Sequence, residues 1–153
     1  MSNSVSLIQR REIEAGMASS LIKGFTEELG REKAVGVATR VIESLAQEAG
    51  QQIAEKYGSN TLNDLAKVVR EIWSQENALE VEFLNESESE LRFNVRRCRY
   101  AETYEAMGIR DLGFCLSCSR DASFAKGFNR EIHMQRTKTI MQGAPYCDFC
   151  FTL

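Results

Sequence analysis

The chain has 153 residues, 43% hydrophobic and 27% charged, with 19 basic against 22 acidic side chains and a net charge of −3. These values are ordinary for a globular domain and exclude a general electrostatic grip on nucleic acid or on an anionic membrane. No window is long and apolar enough to span a bilayer, and the stretch from Met1 to Arg11 lacks the apolar run of a signal peptide, so a cytoplasmic protein is expected whose five cysteines act as thiols, ligands or catalytic groups.

One core suffices at this length, so a single domain is expected over 1–153, with a helical part at 5–76 and a sheet- and site-bearing part at 78–153. Ile13, Met17, Leu21, Phe25 and Leu29 recur at steps of four and mark one face of a predicted helix that stops at Gly30. Ala34, Val35, Ala38, Val41, Ile42, Leu45, Ala49 and Ile53 keep the helical period until Tyr57-Gly58-Ser59-Asn60. Thr61, with Asp64 three residues on, caps a third helix whose stripe is Leu62, Leu65, Val68, Val69, Ile72 and Trp73. The period then becomes two. Leu79, Val81 and Phe83, then Leu91, Phe93 and Val95, alternate with polar residues across the turn Asn85 to Glu90, which predicts a hairpin. Tyr100, Tyr104 and Met107 line a short helix ended by Gly108, a second helix runs from Leu112 to Ala122, and strands at Glu131 to Ile140 and Tyr146 to Phe151 flank the turn Gly143-Ala144-Pro145. The expected class is α+β, with helices packed on an antiparallel sheet.

Four cysteines form two CxxC pairs, Cys115 with Cys118 and Cys147 with Cys150. That pattern suggests a four-thiolate zinc site, but the first pair falls on a predicted helix and the second on a strand. Residues three apart on a strand point to opposite faces, so one functional cysteine from each pair is expected. The lone His133 excludes a multi-histidine metal site and disfavours a Ser-His-Asp or Cys-His catalyst. Neither GxGxxG nor a Walker-type pattern is present. Arg10-Arg11 reads as a solvated helix start, and the acidic run Glu86 to Glu90 as a solvated turn.

From Phe93-Asn94-Val95-Arg96-Arg97-Cys98 through Tyr100, Tyr104, Gly108, Leu112-Gly113, Cys118 with Asp121, Arg136-Thr137-Lys138-Thr139 and Gly143 to Cys147-Asp148-Phe149, the sequence resembles the L-2-amino-thiazoline-4-carboxylic acid hydrolase family. More remotely it is similar to small-molecule-binding domains of the vinyl-reductase-like type. The first resemblance implies a hydrolase that opens a cyclic amidine-like amino-acid derivative to an N-carbamoyl amino acid, and it selects Cys98, Cys118 and Cys147 over Cys115 and Cys150. Cys118, one helical turn from Asp121, can attack the ring carbon while Asp121 relays a proton. Such a thiol must be partly ionised near neutrality, so its pKa is expected below roughly 8.5. Arg136 shares a strand face with Ile132 and Met134 and can clamp a carboxylate bidentately; its alternative is an internal ion pair with Asp121 or Asp148. Arg97, on the face of Phe93 and Val95, is a second clamp, and Tyr104 and Thr139 are further substrate-binding candidates. Cys98, Cys118 and Cys147 can alternatively hold a zinc ion with an open position for water. The competing class is a binding or sensor module without turnover, and a homodimer is the expected assembly.

Overall fold

The computed structural model describes residues 4–153; Met1 to Asn3, the head of the stretch read above for a signal peptide, lie outside the described residues. The chain begins its first helix at Ser6, whose hydroxyl accepts the Gln9 N–H while the Gln9 side chain accepts the Ser6 N–H, a reciprocal capping box. Helix α1 spans Leu7–Leu29 and α2 spans Arg31–Tyr57, joined through Gly30 alone. At φ 84° Gly30 adopts a conformation that a side chain would strain. The expected Thr61–Asp64 cap opens α3, Leu62–Val68, which continues through a π-helical turn at Val69–Trp73. Its expected stripe is buried except for Ile72, which is half-buried.

The hairpin forms as β1, Leu79–Glu86, and β2, Glu90–Cys98, followed by α4, Arg99–Ala106. A π-helical turn at Phe114–Cys118 leads into α5, Arg120–Phe128, and β3, His133–Gln135, and β4, Cys147–Thr152, complete the set. The sheet is antiparallel throughout with strand order β1-β2-β4-β3. The fold is therefore α+β, a mostly helical N-terminal half on a four-stranded sheet.

Two expectations need correction, and the α1 row needs placing. Ile13, Met17, Leu21, Phe25 and Leu29 do form one face, but it points away from the core: the five residues are 49–70% exposed, and α1 buries Ile8, Ala15, Ser19 and Ile22. On α2, Val41 and Leu45 are likewise exposed. The strand expected over Glu131 to Ile140 pairs only at His133–Gln135, because the Asp148 carboxylate takes the Thr137 and Lys138 N–H groups and the Thr137 hydroxyl, replacing a ladder. The helix expected from Leu112 to Ala122 is interrupted at the π turn, so Cys118 and Asp121 belong to different helical segments.

Two glycines set how closely α5 approaches α2. A Cβ at Gly127 would strike the Gln47 carbonyl, and one at Gly50 would strike the Phe124 carbonyl. The resulting seam holds α5 against one apolar cluster, made of α2, α3, α5 and the sheet face. A second cluster joins α1, α4 and the π turn before α5. Between the two lies a cavity.

Candidate functional site

The cavity has a volume of about 180 Å³. Its walls are mainly apolar: Ile72 and Trp73 at the end of α3, Val95 on β2, Phe124 on α5 and Phe149 on β4. Trp73 packs edge-on against Phe124 at 5.5 Å, and Phe149 stacks on Phe93 at 4.8 Å, so the walls are held by aromatic contacts as well as burial. Into this lining project Cys98, Cys118, Cys147, Asp121 and Arg136.

At the centre of the polar part, Arg136 Nη1 donates to Asp121 Oδ2 at 2.6 Å and Arg136 Nη2 donates to the Cys118 carbonyl at 3.1 Å. The guanidinium also lies 4.9 Å over the Phe149 ring. Its side chain is 6% exposed and that of Asp121 21%, a pair largely removed from water. Of the two readings of Arg136 open from sequence, the internal ion pair with Asp121 is the one formed here, so this guanidinium is engaged before any ligand arrives. Burial pushes the Asp121 carboxyl up, against the pull of Arg136, Arg120 and Arg11.

The three thiols expected to act together share the cavity, while Cys115 and Cys150 do not line it. Cys115 accepts from the Thr39 hydroxyl at 3.2 Å against α2, and Cys150 points toward Glu90 on the other face of β4. Cys147 accepts the Ile140 N–H at 3.1 Å. An ionised Cys118 is not what the site favours: burial, then the adjacent Asp121 carboxylate, push its thiol well up, with Arg136 only partly opposing. Burial likewise pushes Cys98 up to about 11 and raises Cys147. The resting site holds neutral thiols. Among the described residues no group of three or more histidine, cysteine, aspartate or glutamate side chains is arranged to hold a metal ion. The residues thus do not fit the zinc site proposed for Cys98, Cys118 and Cys147.

The remaining candidates lie elsewhere. Arg97 is on the surface, bound to Glu102 at 2.8 and 3.1 Å, because Glu80 pairs with Arg97 while Val81 pairs with Val95. That irregularity inserts an extra residue and breaks the two-residue alternation after Val95. Tyr104 is buried in the second cluster and does not line the cavity. Tyr100 does line it, but donates its hydroxyl to the Trp73 carbonyl at 3.0 Å. Thr139 is buried, and its hydroxyl accepts the Gln142 N–H to cap the turn Ile140–Gln142. His133 is exposed on the edge strand.

Sequence reasoning missed Arg120 and misjudged Arg11; Arg10 is solvated as expected, and all three line the cavity. A usable signal existed. On α5, Arg120, Asp121 and Phe124 stand at i, i+1 and i+4, and on α1 Leu7, Arg10 and Arg11 stand at i, i+3 and i+4, so each set clusters on one side of its helix.

Comparison with solved structures finds this fold in proteins of low identity. The phenol-responsive sensory domain of the transcription activator PoxR, with phenol, aligns with a TM-score of 0.57 at 13% identity, covering 90% of this chain and 73% of that one. A trafficking protein particle complex subunit 3 from Naegleria fowleri, covalently bound to palmitic acid, aligns with a TM-score of 0.56 at 12% identity, covering 94% and 95%. No curated protein sequence matches the chain. A family model does, over residues 10–151, so nearly the whole fold and every cavity residue from Arg10 onward fall inside the match. The chain belongs to the L-2-amino-thiazoline-4-carboxylic acid hydrolase family.

Proposed function

We propose that the chain is a hydrolase that opens a small cyclic amidine bearing a carboxylate, of the 2-aminothiazoline-4-carboxylate kind, to an N-carbamoyl amino acid. The observation that carries this reading is the convergence of Cys118 and Asp121 on one small apolar cavity, within a family named for that hydrolysis. An amidine is itself a base, and this resolves the difficulty of a thiol held neutral. On binding, the Cys118 proton passes to an amidine nitrogen, and the new thiolate faces a cationic amidinium at contact distance. Its sulfur then bonds to the ring carbon flanked by nitrogen and sulfur. The ring carbon–sulfur bond breaks, and the departing sulfur takes a proton relayed by Asp121. Water adds to the same carbon, Cys118 leaves as a thiol, and the urea carbonyl remains on the product. Asp121, raised by burial, suits a proton relay better than an exposed carboxylate would. Arg136 positions Asp121.

The test is incubation with 2-aminothiazoline-4-carboxylate followed by mass spectrometry. A product heavier by one water is expected, lost in Cys118→Ser and retained in Cys115→Ser and Cys150→Ser. A second reading, a sensor that binds without turnover, is favoured by the mainly apolar, aromatic-walled cavity and by the likeness to a phenol-responsive sensory domain. Binding without any hydrated product would select it.

A further inference from the structure

We propose that Arg120, which lines the cavity together with Arg11 and Arg10, is the anchor for a ligand carboxylate, a role the sequence had suggested for Arg136 and Arg97. The identity of the ring rests on the hydrolase reading; the anion site does not. Arg136 is committed to Asp121 and the Cys118 carbonyl, and Arg97 to Glu102 outside the cavity. Arg120, Arg11 and Arg10 line the cavity, and among the described residues the only ion pair made by any of them is Arg11 with Glu14 at 2.8 Å. The acids facing Arg120 are Glu14 and Asp121, each already bound to another arginine. Arg120 is half-buried, and burial followed by the like charge of Arg11 draws its pKa down to about 10. A guanidinium in this position is costly without an anion, and its planar fork matches a carboxylate. The ligand class that follows is a compact apolar or heterocyclic carboxylate, with its ring among the aromatic walls and its anionic end toward Arg120.

The experiment is calorimetric titration of wild type, Arg120→Gln and Arg120→Lys with 2-aminothiazoline-4-carboxylate, its uncharged parent 2-aminothiazoline, and benzoate. Thermal melts serve as the control for folding. Arg120→Gln is expected to weaken both carboxylates about tenfold or more without affecting the uncharged ring, and Arg120→Lys is expected to recover part of the loss. Equal affinities of wild type and Arg120→Gln for both carboxylates, or no carboxylate binding by wild type, would overturn the proposal. Benzoate bound through Arg120 with no turnover of the thiazoline would remove the hydrolase reading and keep the anchor. Turnover with an unchanged KM in Arg120→Gln would do the opposite.

The outer face of α1 carries a second inference independently: we infer that two copies of this chain pair through it. Ile13, Met17, Leu21, Phe25 and Leu29 form a ridge about 24 Å long at a rise of about 1.5 Å per residue, and Val37, Val41 and Leu45 add a row on α2. All eight are between 44% and 70% exposed, several hundred Å² of apolar surface, at the upper end of what monomers leave bare and near the share that each partner contributes to a small stable dimer. A second copy is the occupant because a four-residue ridge packs into the groove beside an identical ridge. The charge around it is also mixed: α1 has three basic and four acidic residues, and α2 has four of each. A helix lying on an anionic membrane carries a basic polar face instead.

Analytical ultracentrifugation of the full chain should give twice its 17.3 kDa mass. Met17→Glu with Leu21→Glu should give a folded monomer by circular dichroism. A wild-type monomer at tens of micromolar, a dimer unchanged by the double variant, or a monomer that sediments with phosphatidylserine vesicles would each overturn it.

Discussion

The outer face of α1 and the cavity bordered by the N-terminal turns of the same helix distribute side chains in opposite ways. Outside, five large apolar residues stand in water while Ala15 and Ser19 are buried on the inner side. Inside, an apolar chamber is lined by four arginines and an aspartate, of which Arg136 and Asp121 are largely removed from water. Each arrangement is expensive for an isolated monomer, one by exposing hydrocarbon and the other by enclosing charge. The two differ in what offsets the cost. Asp121 and Arg136 satisfy each other within the chain, whereas nothing among the described residues covers the α1 ridge. Internal compensation marks machinery that must be in place before a ligand arrives. Its absence marks a surface, or an arginine, that waits for a partner.

The largest way to break this contrast is to remove the internal compensation. Arg136→Met leaves Asp121 enclosed without its cation and is expected to cost about 3–5 kcal/mol in urea denaturation. Arg136→Met with Asp121→Leu should recover most of that stability while remaining inactive. A loss of activity in the single variant at unchanged stability would mean instead that Arg136 is free to bind substrate.

Next in size is the seam that places α5. Gly127→Ala pushes a methyl into the Gln47 carbonyl of α2 and is expected to cost about 3 kcal/mol, with loss of the cavity geometry since Asp121 rides on α5. Gly24→Ala on the outer side of α1 meets nothing within 4 Å and should stabilise the helix by about 0.5–1 kcal/mol. Equal effects would mean that the backbones of α2 and α5 can separate at little cost.

Much of this was legible in the chain, for reasons that vary by element. The α3 stripe and the hairpin alternation were readable because one face of each is buried. Which way the α1 row faces was not legible, because periodicity marks an apolar face without saying what covers it, and this helix carries a second inward face of Ile8, Ala15, Ser19 and Ile22. Arg97 was assigned to the cavity by parity, which holds along β2 only as far as Val95, and the irregularity beyond it leaves no composition signal. Cys118 and Asp121 were found through the family motif, and their approach to Arg136 survives the π turn that interrupts the predicted helix. Arg120 was hidden by its neighbour, since a charged residue beside an assigned aspartate reads as solvent-facing until the side of α5 shared with Asp121 and Phe124 is drawn.

Enclosed thiols also give the cavity a signature in alkali. Cys98 has a folded pKa of about 11 against an ordinary 9.0, so between those values the native state keeps a proton that the unfolded chain releases. The contribution is fully present below pH 9 and is lost as pH rises toward 11, by about 2 kcal/mol. Cys98→Ser should flatten that decline when stability is measured from pH 8 to 11. An identical decline in the variant would assign it to other groups.

A smaller loss is expected outside the cavity lining, at the cap of α3, with the opposite pH sign. Burial pushes the Asp64 carboxyl up, but hydrogen bonds from the Ser59 and Thr61 hydroxyls, the Thr61 N–H and Lys67 outweigh it and hold the group well below its ordinary 3.8. A depressed folded pKa contributes stability that is present above the unfolded value and is lost as pH falls through the folded one. Asp64→Ala should therefore cost about 1–2 kcal/mol at pH 7, show no change in that deficit down to about pH 5, and converge on wild type as pH drops below 3.8. Because α3 carries Trp73 to the cavity wall while Asp64 does not touch it, carboxylate binding should be unchanged at neutral pH. A binding defect in this variant would show that the cap sets the cavity wall as well as the helix.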